Sequence, residues 1–183
     1  QGGEQISQLL RDTNKKLRIS SGLPDWKAYV DFVNNIVVEG LVQVLSESLE
    51  YMSKQLDPDE IEKQHLTPML NIELELAKSD VTFVPEIASQ VDGSGIRDVV
   101  KGWVETFFRI ATVFRRLDIN EGGYVKELRE HPAIRAQLAE ITSHLSELEK
   151  RMQTTRERYL EYQYLWTSNL SEMFVEFVEH AVL

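Results

Sequence analysis

Four histidines are the first residues to weigh for chemistry: His65, His131, His144 and His180. A helical metal site sets two histidines on one face, as in HExxH, so that both imidazoles reach one ion. No two of these four stand at that spacing, and the motif is absent. Glu140 and His144 are four apart on a helical pattern, which reads as an exposed helix-stabilising pair rather than half a metal site. The chain has no cysteine, which removes thiol nucleophiles, disulfides and cysteine-ligated metals and fits a reducing compartment. Asp92-Gly93-Ser94-Gly95-Ile96-Arg97 puts glycines ahead of a helix, but a phosphate loop also needs the Lys-Ser/Thr pair of GxxxxGK[ST]. A loop entering a helix uses glycine in any case. The Gly-x-Ser-x-Gly nucleophile elbow is missing too. Glu73 and Glu75 share the wet face of a strand, where they solubilise an edge; acid–base work would require burial to raise one pKa. The residues therefore predict no catalytic, cofactor-binding or metal site.

What the spacing does predict is a packing seam. Ile134, Leu138, Ile141, Leu145, Leu148, Met152, Thr155, Tyr159, Tyr162 and Trp166 follow one another in steps of four and three, and only Thr155 is polar. Charged residues flank the series, and neither Pro nor Gly interrupts it. An apolar repeat of 3.5 residues held over four heptads is the pattern of a long helix lying along a partner. At 1.5 Å per residue it makes a rod of roughly 50 Å. The aromatic group Tyr159, Tyr162, Tyr164 and Trp166 reads either as core where this helix docks or as an anchor for a lever, since large rings bury the most area.

Composition narrows the class. With 30 acidic against 20 basic residues the chain carries −10, and its pI is near 4.9. Nucleic acid and anionic membranes both need a positive field, so neither is expected as a partner. No 18 consecutive residues are apolar, which predicts no membrane span. Gln1-Gly2-Gly3 reads as a cut end or a linker scar and Leu183 falls in mid-helix, so the chain is expected to be a fragment of something longer.

The elements follow from periodicity. A first helix is predicted over Glu4–Arg18, with Leu17 on its apolar side, ending at Ser20-Ser21-Gly22-Leu23-Pro24. A second runs from Asp25 to Gln55. Trp26, Tyr29, Val33, Ile36, Val37, Leu41, Val44, Leu45 and Met52 trace one face of it. Phe32, Val38, Val42 and Leu49 trace a second, which predicts a helix inside a bundle touching at least two neighbours. Asp57-Pro58-Asp59 ends it. Leu70, Ile72, Leu74 and Leu76 alternate with polar residues, and Val81–Val84 alternates again after Lys78-Ser79-Asp80. The pair predicts a β-hairpin at about residues 69–84, stopped by Pro85. A third helix is predicted over Ile96–Leu117, ended by Asn120-Glu121-Gly122-Gly123, and a short one over Tyr124–Glu130 before Pro132. The seam helix runs to Trp166. Asn169 and Glu172 then form a capping box for a last helix burying Leu170, Met173, Phe174, Phe177 and Ala181. The fold class is mainly α: an elongated helical bundle with long antiparallel helices and one inserted hairpin. The domain reading is a module over 1–131 followed by the seam and last helices over 132–183.

The order of these parts resembles a known family. Trp26-Lys27-Ala28-Tyr29-Val30-Asp31 leads to Glu39-Gly40-Leu41 and Ser48-Leu49-Glu50-Tyr51. The hairpin Pro68-Met69-Leu70-Asn71-Ile72-Glu73-Leu74-Glu75-Leu76 precedes Val81-Thr82-Phe83-Val84-Pro85. Val100-Lys101-Gly102-Trp103-Val104, Phe114-Arg115-Arg116-Leu117 and Tyr162-Gln163-Tyr164-Leu165-Trp166 follow, with Phe174 and Phe177 beyond. Over nearly its whole length the chain resembles the N-terminal tail region of a dynein heavy chain, specifically an axonemal one, near the linker that precedes the motor ring. The resemblance implies a non-catalytic segment of an ATP-driven microtubule motor, located in the cytoskeleton of a cilium or flagellum axoneme. Its implied partners are the remainder of the heavy chain including the linker, neighbouring heavy chains, and intermediate and light chains. It implies no cofactor in this segment. Two other readings stay beside it: a helical-bundle or coiled-coil adaptor that binds partner helices, and an all-helical enzyme with a dispersed site.

Overall fold

A computed structural model of the chain describes residues 2–17, 22–64, 67–77, 79–87, 94–117 and 123–181. Arg18, Ser20-Ser21, His65, Lys78, Asp92-Gly93, Asn120-Glu121-Gly122 and Leu183 lie outside the described residues, as do the side chains of Leu17 and Ala181. In chain order the elements are α1 (Gly2–Leu17), α2 (Pro24–Leu56), α3 (Pro58–Gln64), β1 (Glu73–Ala77), β2 (Asp80–Val84), α4 (Ile96–Phe108), α5 (Ile110–Val113), α6 (Val125–Glu130), α7 (Pro132–Leu160), α8 (Tyr164–Thr167) and α9 (Leu170–Ala181). The fold is mainly α with one inserted antiparallel hairpin. The chain divides into two compact units, Gln1–Met69 with Val100–His144, and Leu70–Val99 with Leu145–Leu183; one division precedes β1 and the other two fall inside α4 and α7.

In the first unit α2 opens on Pro24, whose missing N–H is one the first turn leaves unpaired anyway. It closes at Asp57, held at φ −84°, ψ 109°, because the residue before Pro58 avoids helical angles. Asp57 then serves both neighbours. Its N–H donates to Ser53 O (3.1 Å) at the end of α2. Its Oδ1 accepts the Asp59 N–H (2.9 Å) at the start of α3. The buried residues of α2 are Val30, Asn34, Leu41, Leu45, Leu49, Met52, Ser53, Gln55 and Leu56. Ala111, Tyr124, Leu128, Ile134 and Ile141 are also buried in this unit. Tyr124 Oη donates to Asn34 Oδ1 (2.8 Å), a buried pair that brings the start of α6 to the first half of α2.

Two expectations for the long helices need correction. Gln137 Nε2 donates to Ser46 O (3.1 Å), and His144 faces Asp57 at 4.0 Å. Numbers therefore rise together along α2 and this part of α7, so the two run parallel, not antiparallel. The reason is the return path: Leu117 lines the same cavity as Trp26 and Val30, so the chain has come back to the first half of α2 before α7 begins. Second, the two faces expected on α2 are only partly covered, although α2 touches α3, α6 and α7. Phe32 (61% exposed), Ile36, Val44 and Tyr51 are exposed and Val38 and Val42 are half-buried, while Leu49 is buried. By length and composition α2 is long and apolar enough to cross a membrane, with an 18-residue window of mean hydropathy 1.3. A count of consecutive apolar residues misses this, because Glu39, Gly40 and Gln43 interrupt the run. A core helix of a folded domain can pass the same test, and 22% of this window is buried.

In the second unit the hairpin pairs Leu74 with Phe83 and Leu76 with Val81. It is shorter than the alternation predicts, because Leu70 and Ile72 precede β1. Pro85 has no N–H to donate, so β2 stops at Val84 and the ladder at its partner Glu73. The exit from the hairpin caps α4: Ile96 N–H donates to Glu86 O (2.9 Å) and Arg97 N–H to Ile87 O (3.2 Å), satisfying two of the donors every helix start leaves unpaired.

The third predicted helix, 96–117, is broken. α4 ends at Phe108, bonds of the i to i−3 type join Arg109 to Thr106 and Thr112 to Arg109, and Phe114 is extended. Thr106 and Thr112 each turn a hydroxyl back onto a backbone carbonyl, a habit that bends helices. The seam helix ends at Leu160 instead of Trp166, about 44 Å after it starts. The break at Thr167–Asn169 stands where the sequence puts it, and Asn169 Oδ1 accepts the Ser171 N–H (3.1 Å) at the start of α9. The expected burial of α9 is overturned: Leu170, Phe174 and Phe177 are each about two-thirds exposed and Met173 is half-buried.

Candidate functional site

The helical repeat on α7 is the feature the sequence singles out, and its positions fall into two groups. Ile134 and Ile141 are buried in the first unit; Leu145 and Met152 are buried in the second. Leu138 and Leu148 are half-buried. Tyr159 (49% exposed) and Tyr162 (53%) are exposed, a correction to their place in the seam. The burial stops because Thr155 interrupts the apolar series one turn earlier and α7 ends at Leu160. Trp166 is half-buried for a different reason: its Nε1 donates to Ser79 O (3.2 Å) at the hairpin turn.

That turn is held from α7 as well. Arg156 Nε donates to Val81 O (2.9 Å), and its Nη2 reaches both oxygens of Asp80 (3.0 and 2.9 Å). Asp80 Oδ1 also accepts the Val81 N–H (2.8 Å). The Arg156 guanidinium, and then the Val81 N–H, lower the Asp80 carboxyl below its ordinary range. Ser79, beside it, has φ 76°, a left-handed conformation that a non-glycine residue adopts at some cost. A second bidentate pair, Arg97 with Glu149, joins the start of α4 to α7. It lowers the Glu149 carboxyl and raises the Arg97 guanidinium, the shared hydrogen bond being the main cause of both. By the spacing of the repeat, Glu149 and Arg156 fall among the charged residues that flank the seam. No spacing signal could have found these pairs, because their partners lie 52 and 76 residues away.

The first unit holds a polar cavity of about 500 Å³, lined by the end of α2, by Asp57 and Glu60, and by Gln137, Glu140 and His144 of α7. Here His144 is half-buried between Asp57 (4.0 Å) and Glu140 (3.8 Å), not simply an exposed member of an i,i+4 pair. His180 lies far along the chain on α9, with its Nδ1 against Glu176 O (2.8 Å). Glu73 and Glu75 are exposed on β1. Among the described residues no group of three His, Asp or Glu could hold a metal ion.

Comparison with known proteins agrees with the resemblance to axonemal dynein heavy chains. No protein-family model matches the chain. It is 31% identical over 176 residues to the dynein beta chain of the flagellar outer arm of Chlamydomonas reinhardtii, 96% of this chain but 4% of that protein. It is 23% identical over 176 residues to axonemal dynein heavy chain 17 of Homo sapiens and 23% over 178 residues to the ciliary dynein beta chain of Tripneustes gratilla, again 96% of this chain and 4% of each relative.

Proposed function

Starting from a chain that is homologous along 96% of its length to axonemal dynein heavy chains, we propose that it is a non-catalytic structural module of a heavy-chain tail. It passes force along the chain and supports assembly and docking of a microtubule motor in the axoneme of a cilium or flagellum. The observation that carries the reading is the pairing of this homology with two uninterrupted helices, α2 of 33 residues and α7 of 29. Helices of that length transmit load along their axes with every backbone bond internal. The segment uses no cofactor of its own. Its partners are the remainder of the heavy chain including the linker, with neighbouring heavy chains and intermediate and light chains beside it.

The adaptor reading keeps one observation in its favour: Phe32, Ile36 and Tyr51 on α2, and Phe174 and Phe177 on α9, present exposed apolar surface of the kind partner helices cover. One experiment tests the structural reading. A heavy chain carrying this segment with Leu145→Pro, which removes a backbone donor in mid-helix, retains motor ATPase but no longer assembles into axonemes. Unaltered assembly and motility of that variant, or ATP hydrolysis by the purified segment, overturns the structural reading.

A further inference from the structure

We propose that the polar cavity formed by the end of α2, α3 and the first half of α7 binds a guanidinium group, presented as an arginine side chain by a partner polypeptide. Two buried polar atoms there have no hydrogen-bond partner among the described residues. Ser53 lines the cavity, is 3% exposed, and its Oγ makes no hydrogen bond. Gln137 Nε2 is committed to Ser46 O (3.1 Å). This fixes the amide orientation, since the flipped form would set two carbonyl oxygens against each other. Its Oε1 is buried and unsatisfied. Buried polar atoms in native proteins are almost always paired, so two orphans in one cavity mark a place for a polar ligand.

The charge says which ligand. Four carboxylates, Glu50, Asp57, Glu60 and Glu140, line the space with His144 and one lysine, Lys54, and Lys63 pairs with Glu60 (3.4 Å), which leaves the lining net negative. Lys54 pairs with Glu50 (2.7 Å), which chiefly raises its pKa, and Glu60 and Glu140 add to the rise. A guanidinium carries five N–H donors and no acceptor, so it matches an acceptor amide oxygen, a hydroxyl and bidentate carboxylates together. A bare divalent cation fits less well, because no three His, Asp or Glu among the described residues converge as ligands. The inference does not depend on the tail reading above.

The test is a titration of the chain, followed by two-dimensional NMR, with Nα-acetyl-arginine amide, with its neutral isostere Nα-acetyl-citrulline amide, and with magnesium and calcium chloride. Saturable shifts at Ser53 and at the Gln137 side-chain amide are expected with the arginine compound alone. Glu140→Gln removes one charge-assisted bond and weakens binding about tenfold. Ser53→Ala removes the orphan hydroxyl, weakens binding, and leaves thermal stability unchanged or higher. That outcome separates a ligand site from a structural hydroxyl. Equal response to the citrulline compound, metal binding with the arginine compound silent, or no saturable shift at millimolar concentrations overturns the proposal.

Discussion

Asp80 illustrates what a single side chain can decide here. Its two oxygens hold Arg156 from α7 and cap the adjacent Val81 N–H. These bonds favour the charged carboxylate and depress its pKa below the ordinary 3.8. A group with a depressed folded pKa adds stability that is fully present above its unfolded value and is lost as pH falls through the folded one. The hairpin contact is thus expected to hold at neutral pH and to loosen only below about 3.8. The carboxyl carbon of Asp80, followed by NMR, should titrate below 3.8, and Arg156→Gln should move its midpoint upward. A midpoint at or above 3.8 in the parent chain would contradict the pair. Nothing in the sequence made this legible. Arg156 reads there as one of many charges on a solvated face, and the residue that gives it a purpose is 76 positions away.

Among the elements, local signals were the readable ones. Asp57-Pro58, Pro85, Pro132 and Asn169 each act on their own backbone within a residue or two, and each marks an element end or start in the structure. Partnership along a periodic helix is not local. The repeat from Ile134 to Trp166 identifies which face is apolar, but a period cannot say which turns have a neighbour. Burial holds at Ile141, Leu145 and Met152 and is gone at Tyr159. Equally, Arg109 and Phe114 break the third predicted helix without a proline or glycine to announce it. The contrast along α7 gives a paired prediction. Leu145→Ala, at a buried position, costs about 2–5 kcal/mol in chemical denaturation. Tyr159→Ala, on an exposed turn, changes stability by less than about 0.5 kcal/mol. Equal losses at the two sites would mean that the α7 seam continues past Met152 in solution.

For the whole molecule the relevant balance is between charge and uncovered apolar surface. The two compact units are interleaved along the chain, an arrangement that long-range contacts create and that no consecutive reading of periods contains. Each unit leaves large apolar side chains in solvent: Phe32, Ile36 and Tyr51 on α2 in one, Leu170, Phe174 and Phe177 on α9 in the other. Grouped surface of this kind favours association, while a net charge of −10 at pH 7 opposes it through mutual repulsion. Repulsion fades as pH falls toward the pI near 4.9 and as salt shortens the Debye length to about 10 Å at 0.1 M. The isolated chain is therefore expected to be monomeric at pH 7.5 and low salt. Light scattering behind size exclusion should show association increasing toward pH 5.5 or with added salt. Phe174→Ser with Phe177→Ser should suppress that increase without changing helix content by circular dichroism, because both rings already lie in solvent. If association persists undiminished in the double variant, α9 is not the adhesive surface and the face of α2 must carry it.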